Sequence, residues 1–356
     1  MNGADRLLAA CRREVVDATP VWFMRQAGGS LPGYLRLRER YSVMEIAKTP
    51  ALCAEVTVGA VEALGVDGAV LFADVMLPIE AMGVALELSA EGPIIAEPIR
   101  SREDVARLQD VDVGADLGFV LEAISLSRRE LGDKAAVIGI CGGPFTLAAY
   151  LIEGGPSRDQ LLARAFMHRD PETWHALMTR IADVSVDYVS AQVAAGAQVI
   201  QVFDSWAGSL SALDYDAFVA PHAARVLAAV AGSVPVIHFA AGSAAILESL
   251  AAAGGSVIGV DSRQPLGEAW RRVGYDRGVQ GNLDPARLLA GWEQTAAGAR
   301  DVLGEAKGRP GHVFNLGQAA PRDADPALLR DLVSLVHDES AAVRRVPPAE
   351  MANARA

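Results

Sequence analysis

Residues 171–206, PETWHALMTRIADVSVDYVSAQVAAGAQVIQVFDSW, decide the fold class of this chain. The first part opens on a proline and carries apolar residues at helical spacing, which predicts a helix over Pro171–Ala195 that ends at Gly196. A run rich in Val and Phe follows and predicts a strand over Ala197–Phe203. The stretch is therefore one helix–strand unit of an α/β protein, with polar residues directly after its strand.

The same alternation of helix and strand recurs along the chain. Further apolar runs predict strands over Pro20–Met24, Gly68–Ala73, Ala135–Cys141, Val234–Phe239, Ser256–Asp261, Gly278–Gly281 and His312–Leu316. Amphipathic segments predict helices over Pro50–Leu64, Ala115–Leu131, Asp216–Ala231, Ser243–Ala253, Leu266–Val273, Pro285–Leu303 and Pro326–Ala342. Most of the strands are apolar on both faces, as in parallel sheets covered by helices. The pattern predicts a closed (β/α)8 barrel, with a doubly wound sheet as the competing architecture.

The chain has no Pro/Ser-rich linker in its middle, so we expect residues 1–345 to form one domain. The segment Met82–Arg100 contains Gly83, Gly92 and Pro93 and predicts an inserted hairpin. Residues 346–356 are expected to form a disordered tail.

Composition excludes several classes of protein. Of 356 residues, 51% are hydrophobic, and 32 Lys and Arg against 44 Asp and Glu give a net charge of −12. That charge repels nucleic acid and anionic lipid, so we expect neither as a partner. The three cysteines show no paired spacing, which excludes a disulfide framework and fits a reducing compartment. No apolar run is long enough for a signal peptide or a membrane span, so we expect a soluble cytoplasmic protein.

Polar side chains just past the carboxyl ends of barrel strands form the active face of such folds. The residues at these positions are Arg25, Gln26, Asp74, Gly142–Pro144, Asp204–Trp206, Asp261–Arg263, Asn282 and Gln318. An acid, an arginine and hydroxyl groups are therefore expected at one mouth. The sequence contains no Walker A loop and no HExxH spacing, and it predicts no metal site, with His238 as a core or capping histidine.

Residues 21–34, VWFMRQAGGSLPGY, predict a loop whose backbone can approach a ligand closely, because three glycines and a proline fall within six residues. Arg36, Arg38 and Arg40 follow it. Guanidinium groups bind carboxylates in a bidentate fashion, so this segment is a candidate cationic patch for an anionic substrate. The alternative for these arginines is an ordinary solvated helix face.

The segment 21–34 resembles the uroporphyrinogen decarboxylase family, particularly its actinobacterial members. The similarity continues in the same order through residues 71–74 (LFAD), 144–157 (PFTLAAYLIEGGPS), 202–208 (VFDSWAG), 280–285 (QGNLDP) and 314–317 (FNLG). The resemblance implies a (β/α)8 barrel that works as a homodimer without cofactor or metal. The implied reaction is the loss of CO2 from the acetate side chains of a reduced tetrapyrrole.

The resemblance also implies roles for individual residues. Asp74 matches an aspartate that accepts hydrogen bonds from the pyrrole N–H groups and stabilises a cationic ring. Arg25 matches an arginine that binds a substrate carboxylate and assists proton delivery. The predicted substrate-binding residues are Gln26, Ala27, Arg38, Phe203, Tyr150, Ser205 and Gln318.

Four positions depart from the family pattern. Gly29 replaces an arginine, Gly33 an acidic residue, Ile140 a phenylalanine and Gln318 a histidine. Because the pocket lining changes while the scaffold matches, the leading hypothesis is a paralogue re-tuned for a different pyrrole or aromatic acetate. The alternatives are the housekeeping decarboxylase of haem biosynthesis and a non-catalytic tetrapyrrole-binding barrel. A corrinoid-linked methyltransferase is excluded, since the His-x-Cys pattern is absent at His238.

Overall fold

A parallel sheet of seven strands forms the centre of the protein, which is a computed structural model described over residues 1–88 and 92–345. The sheet strands are β1 (Gly68–Val70), β4 (Ala136–Gly142), β5 (Val199–Phe203), β6 (Val236–Phe239), β7 (Val257–Gly259), β8 (Gly278–Gln280) and β9 (His312–Val313), with β2 (Leu86–Leu88) and β3 (Pro93–Ile95) outside it. Their order in the sheet is β1-β4-β5-β6-β7-β8-β9, so each strand pairs with the next sheet strand along the chain. This sequential parallel order is the one found in α/β barrels.

Helices fill the connections between the strands. The first half contains α1 (Gly3–Cys11), α2 (Pro32–Arg38), α3 (Val43–Lys48), α4 (Pro50–Leu64), α5 (Leu77–Ala81), α6 (Arg102–Ala106), α7 (Val113–Asp116), α8 (Gly118–Leu131) and α9 (Pro144–Glu153). The second half contains α10 (Leu161–Arg169), α11 (Pro171–Ala194), α12 (Ala212–Phe218), α13 (Ala220–Ala228), α14 (Leu247–Ala253), α15 (Leu266–Val273), α16 (Ala286–Leu289), α17 (Trp292–Ala306) and α18 (Pro326–Arg345). No helix of the described ranges is long and apolar enough to cross a bilayer.

The sheet is curled strongly enough for side chains of non-adjacent strands to meet inside it. Gln201 of β5 and Gln280 of β8 are separated in the sheet by β6 and β7, yet Gln280 Nε2 donates to Gln201 Oε1 at 3.2 Å. Trp22 Nε1 donates to Gln280 Oε1 at 2.8 Å. All three side chains are almost fully buried. The fold is therefore a TIM-barrel-like half-barrel whose interior contains a hydrogen-bonded chain of one indole and two amide side chains.

The predicted strand Pro20–Met24 is the main difference from the predicted eight-strand barrel. It contributes a single parallel bridge, between Val21 and Phe314, so the barrel is not closed by a continuous ladder. The reason is that few backbone N–H groups of this segment are available for a ladder with a neighbouring strand. Pro20 has no N–H, and the N–H groups of Phe23 and Met24 donate to side-chain oxygens rather than to a neighbouring strand.

Most of the other predicted elements are confirmed, with shifted ends. Helices α4 and α15 begin and end at the predicted residues, and the hairpin of β2 and β3 lies in the predicted insertion. Several long predicted helices are split, for example by Gly291, which adopts a φ of 97° before α17. The predicted helices do not include α1, α3, α5, α6, α9 and α10, and α2 corresponds to the helix face given as the alternative for Arg36, Arg38 and Arg40. The predicted tail, 346–356, lies outside the described residues.

Candidate active site

Asp74 is positioned by the turn that follows β1. The Leu71 N–H extends the sheet by donating to the Ile138 carbonyl at 3.0 Å, and the Phe72 N–H then donates to Thr57 Oγ1 at 3.0 Å. Asp74 closes the turn, since its Oδ1 accepts from the Met76 N–H at 2.8 Å. This Asx turn fixes the carboxylate at the carboxyl end of the strand, on the face where barrel enzymes hold their chemistry.

Asp74, Arg25 and Tyr150 form one electrostatic group. Burial raises the pKa of Asp74, while the Met76 N–H and the charge of Arg25 oppose that increase. Burial likewise raises the pKa of Tyr150 to about 12; the charge of Asp74 adds to the increase and that of Arg25 opposes it. The structure thus brings together three of the predicted site residues. Arg25 follows the first predicted strand, Asp74 follows β1, and Tyr150 lies on α9.

Arg25 holds a strained backbone conformation. Its φ is +64°, in the left-handed region that costs a residue other than glycine about 1–2 kcal/mol. The segment around it is fixed from both sides, because Asn315 Oδ1 accepts from the Met24 N–H at 3.2 Å and the Ala320 N–H donates to the Met24 carbonyl at 2.9 Å. Strain held in place by its surroundings is characteristic of functional sites.

The side chains of Gln26 and Ala27 lie inside the protein. Gln26 Oε1 accepts from the Phe23 N–H at 2.8 Å, and its Nε2 donates to the Gly68 carbonyl at 2.7 Å. The amide therefore ties the first segment to β1 and has both of its ends engaged. Ala27 is buried beside it. Their predicted contact with substrate stays a prediction.

Aromatic rings form one wall near Tyr150. The Tyr150 and Trp206 rings lie 4.0 Å apart between centroids, and the Phe203 ring meets that of Phe239 edge-on at 6.3 Å. Phe203 is the last residue of β5 and Ser205 follows two positions later, and both are partly exposed. The wall therefore carries three predicted substrate-binding residues next to one another.

Arg38 and Gln318 are the predicted site residues with the weakest structural link to Asp74. Arg38 is exposed at the end of α2 and donates to the Tyr41 carbonyl in its own turn. Gln318 is half-buried in the loop after β9, between the buried Gly317 and Ala320, whose N–H donates to the Met24 carbonyl. That loop places Gln318 near the Arg25 segment, while Arg38 stays on a solvated helix.

Asp204 is an important residue that sequence reasoning treated only as one of several strand-end polar groups. It is fully buried, and its Oδ1 accepts from the Thr146 N–H at 2.9 Å and from Thr146 Oγ1 at 2.8 Å. The Trp206 N–H in turn donates to Thr146 Oγ1 at 3.1 Å. Asp204 therefore caps the first turn of α9, the helix that carries Tyr150. In the sequence, the position of Asp204 between Phe203 and Ser205, two predicted substrate-binding residues, was the signal that could have identified it.

Asp204 makes protein stability depend on pH in a direction opposite to that of most aspartates. Burial raises its pKa to about 6, whereas an unfolded aspartate titrates near 3.9. As the pH rises from about 4 to about 6, the unfolded chain loses this proton before the folded protein does, so the free energy of unfolding falls. The difference in pKa corresponds to about 3 kcal/mol.

Asp204→Asn removes this ionisation while keeping an oxygen for Thr146. Relative to the wild type, we expect the variant to gain about 2 kcal/mol in free energy of unfolding between pH 4.5 and 7.5. Urea denaturation of both proteins at the two pH values measures this gain. A difference between the two proteins that is the same at both pH values would contradict the assignment.

The described residues offer no group of three or more His, Cys, Asp or Glu side chains that could hold a metal ion. A polar cavity of about 310 Å³ lies away from Asp74, beside the ends of β7 and β8. Arg263 and Arg287 line it together with Asp284, Asp301 and Glu305, so it carries charges of both signs. This mixture does not define a ligand, and the group around Asp74 remains the candidate active site.

A curled parallel sheet with a partly buried carboxylate and a strained arginine at its strand ends defines an enzyme of the TIM-barrel-like class. Comparisons with known proteins agree. The sequence model of the family described as "Uroporphyrinogen decarboxylase (URO-D)" matches residues 2–339. A protein of Sorangium cellulosum named uroporphyrinogen decarboxylase is 50% identical over 335 residues, which cover 94% of this chain and 96% of the relative. One of Streptomyces coelicolor with the same name is 48% identical and covers 94% of each chain.

Among solved structures, a methyltransferase from Methanosarcina mazei has a similar fold. The TM-score is 0.79 at 22% identity, and the alignment covers 95% of this chain and 99% of that one. At this identity the likeness concerns the fold alone. The chain belongs to the uroporphyrinogen decarboxylase family. It is accordingly an enzyme of the carboxy-lyase class, as the resemblance predicted.

Proposed function

We propose that this enzyme removes CO2 from the acetate side chains of uroporphyrinogen III and yields coproporphyrinogen III. The names of the relatives support this reaction. The observation that carries it is the Asp74 carboxylate, held at the end of β1 within electrostatic reach of Arg25 and Tyr150. A carboxylate in such a place can stabilise a cationic intermediate that forms beside it.

The proposed chemistry needs no external electron sink. A proton adds to the pyrrole ring carbon next to the one that bears the acetate and makes the ring an iminium-like cation conjugated with the acetate-bearing carbon. The carbon–carbon bond to the carboxylate then breaks, CO2 leaves, and the released electron pair neutralises the ring. A proton adds to the exocyclic methylene and the ring carbon gives up its own, so each acetate consumes one proton and becomes a methyl group. The substrate itself thus performs the electronic task of a cofactor.

In this proposal Asp74 accepts hydrogen bonds from the pyrrole N–H groups and stabilises the ring cation. Arg25 binds a substrate carboxylate and assists delivery of the proton. Two features support these roles: the charge of Arg25 favours the ionised form of Asp74, and the strained backbone of Arg25 is fixed by its neighbours. Substrate contacts are assigned to the remaining predicted residues, Gln26, Ala27, Arg38, Phe203, Tyr150, Ser205 and Gln318.

The proposal extends to architecture. Residues 1–345 act as one domain, a closed eight-strand barrel in which residues 20–24 form the remaining strand. Support comes from Val21, which bridges Phe314 on one side while its carbonyl accepts from the Asp67 N–H at 2.8 Å on the other.

We further place the enzyme in the cytoplasm as a homodimer. The described structure holds its three cysteines free and buried, which suits a reducing compartment. Exposed leucines at 161, 162 and 213, on the neighbouring helices α10 and α12, offer an apolar surface for a second copy.

Anaerobic incubation of the purified protein with uroporphyrinogen III, followed by mass spectrometry, tests this function. We expect stepwise loss of CO2 down to coproporphyrinogen III. Failure to convert uroporphyrinogen, with turnover of a smaller pyrrole acetate, would instead support the re-tuned paralogue. Tight binding without any turnover would support the non-catalytic barrel. The names of the relatives favour the family substrate, and none of them supports a re-tuned pocket.

Gly29, the most conspicuous departure from the family pattern, has a local structural cause. Its φ is +59°, and a Cβ there would lie 3.0 Å from the Arg322 carbonyl oxygen. We expect Gly29→Arg to lower the free energy of unfolding by about 1–2 kcal/mol, since a side chain in this conformation is strained.

Gly33→Glu is the matched control for the Gly29→Arg variant. A Cβ at Gly33 would meet only the Arg36 guanidinium at 3.9 Å, an ordinary contact, and an acid in the first turn of α2 is favourable. Thermal denaturation should leave Gly33→Glu at or above wild-type stability. Equal melting temperatures for Gly29→Arg and the wild type would show that the loop relaxes freely.

A further inference from the structure

Arg263, which lines the polar cavity beside the ends of β7 and β8, is a cation at the strand ends that the proposed mechanism does not use. It lies four positions after the end of β7, as Asp74 lies four positions after the end of β1. Its side chain is exposed, and within residues 1–88 and 92–345 its guanidinium has no ion pair and no hydrogen bond. In a protein with a net charge of −12, such a group is available to an anionic ligand.

The buried carboxylate of Asp261 fixes the backbone of Arg263. Asp261 Oδ1 accepts from the Arg263 N–H at 2.7 Å. Its Oδ2 accepts from the Gly242 N–H at 2.5 Å and from the Ser243 N–H at 3.1 Å. One carboxylate therefore ties the loop after β7 to the loop after β6, so the position of Arg263 at the rim is determined by the fold.

Close packing of three loops links Arg263 to the wall that carries Ser205 and Trp206. A Cβ at Gly208 would lie 2.1 Å from the Ala241 carbonyl oxygen, so the loop after β5 touches the loop after β6. A Cβ at Gly242, whose φ is +70°, would lie 3.0 Å from Arg263 Nη1. The guanidinium thus rests against the Gly242 loop, which in turn contacts the loop after β5.

Arg263 follows the strand that lies opposite β1 around the curled sheet, and Asp74 follows β1. Three strands, β4, β5 and β6, separate β7 from β1 in one direction, and β8, β9 and the Val21 segment lie between them in the other. Among the first four residues that follow each described sheet strand, Arg263 is the one basic side chain. Arg25 likewise lies four positions after Val21. Acidic residues occupy several of the other places, namely Asp74, Asp204 and Asp284. A ligand with carboxylates around its whole rim would need a cation on each side.

We propose that Arg263 binds a carboxylate of the tetrapyrrole substrate on the side of the mouth opposite Asp74. The inference rests on the proposed function, since it takes the polycarboxylate ring as the ligand. It assigns Arg263 to substrate affinity and orientation, whereas Asp74 and Arg25 act on the reacting pyrrole. A guanidinium–carboxylate pair at this distance from the chemistry contributes equally to the ground state and the transition state, so it acts on KM.

Arg263→Gln tests the proposal, with Arg271→Gln as the matched control. Both variants remove one positive charge from an exposed arginine, but Arg271 lies on α15 rather than at a strand end. We expect Arg263→Gln to raise KM for uroporphyrinogen about tenfold or more with kcat within about twofold of wild type. Arg263→Lys should recover part of the affinity, and Arg271→Gln should match the wild type.

Equilibrium dialysis with uroporphyrin, the oxidised ring that retains the same carboxylates and is not decarboxylated, separates binding from turnover. We expect its Kd to rise in Arg263→Gln as KM does. Wild-type turnover with Arg263→Gln indistinguishable from Arg271→Gln in KM and Kd would overturn this proposal alone. A fall in kcat at unchanged KM and Kd would also overturn it. A wild type that neither converts uroporphyrinogen nor binds uroporphyrin would overturn both this proposal and the proposed function.

Discussion

Asp74→Asn is expected to lower kcat for uroporphyrinogen by about a hundred- to a thousandfold. The variant removes the negative charge that stabilises the ring cation. It keeps an oxygen that can accept from the Met76 N–H, so the turn after β1 remains intact. Steady-state kinetics under anaerobic conditions measure the loss, and circular dichroism shows that the fold persists.

Asp284→Asn is the control for this result. Asp284 also follows a sheet strand, and its Oδ1 accepts from the Ala286 N–H at 3.0 Å, two residues on, as Asp74 Oδ1 accepts from the Met76 N–H. Unlike Asp74, it is exposed and is not part of the electrostatic group with Arg25. We expect its turnover to stay within about threefold of wild type. If Asp74→Asn behaved like this control, the carboxylate would have no part in the chemistry.

The second large effect is on stability. It concerns Asp67, at the end of the sheet opposite to the candidate active site. Asp67 precedes β1, and its side chain is 2% exposed. Its Oδ1 pairs with Arg6 Nη1 at 2.6 Å, while its Oδ2 accepts from the Val21 N–H at 2.7 Å and lies 2.7 Å from His337 Nε2. One carboxylate therefore joins α1, the Val21 segment, β1 and α18.

Asp67→Ala is expected to lower the free energy of unfolding by about 3–5 kcal/mol, because it leaves buried donors without their acceptor. Urea denaturation measures the loss. Asp17→Ala is the control, since Asp17 pairs with the same Arg6 at 2.7 Å but is 42% exposed. A surface pair of this kind contributes at most about 1 kcal/mol. Losses of equal size in the two variants would show that burial of Asp67 does not matter.

Several features of this protein could be predicted from local sequence because each depends on a few neighbouring residues. Helix α4 is bounded by Pro50 at its start and by Gly65, which adopts a φ of 72°, at its end, and it was predicted without error. Asp325 and Pro326 likewise mark the start of α18, where Asp325 Oδ1 accepts from the Ala327 N–H at 2.8 Å. The alternation of such helices with apolar strands was enough to predict the barrel class.

Other features depend on residues far apart in the chain, and no local sequence pattern indicates them. The segment 20–24 has the composition of a strand, yet Asn315 and Gln26 side chains take the N–H groups that a ladder would need. Arg38 has the residue type of a carboxylate-binding group, but its helix turns it to the Tyr41 carbonyl.

The sequence by itself determined the fold class, the family and the strand ends at which polar groups gather, since these follow from periodicity and from long matching segments. Only the tertiary structure decided which of those groups interact electrostatically, namely Arg25, Asp74 and Tyr150. It alone also showed that Asp204 caps α9 and that Asp261 fixes Arg263. The physical reason is that electrostatic coupling and hydrogen bonding fall off over a few ångströms, and distances on that scale between distant residues are set by the curl of the sheet.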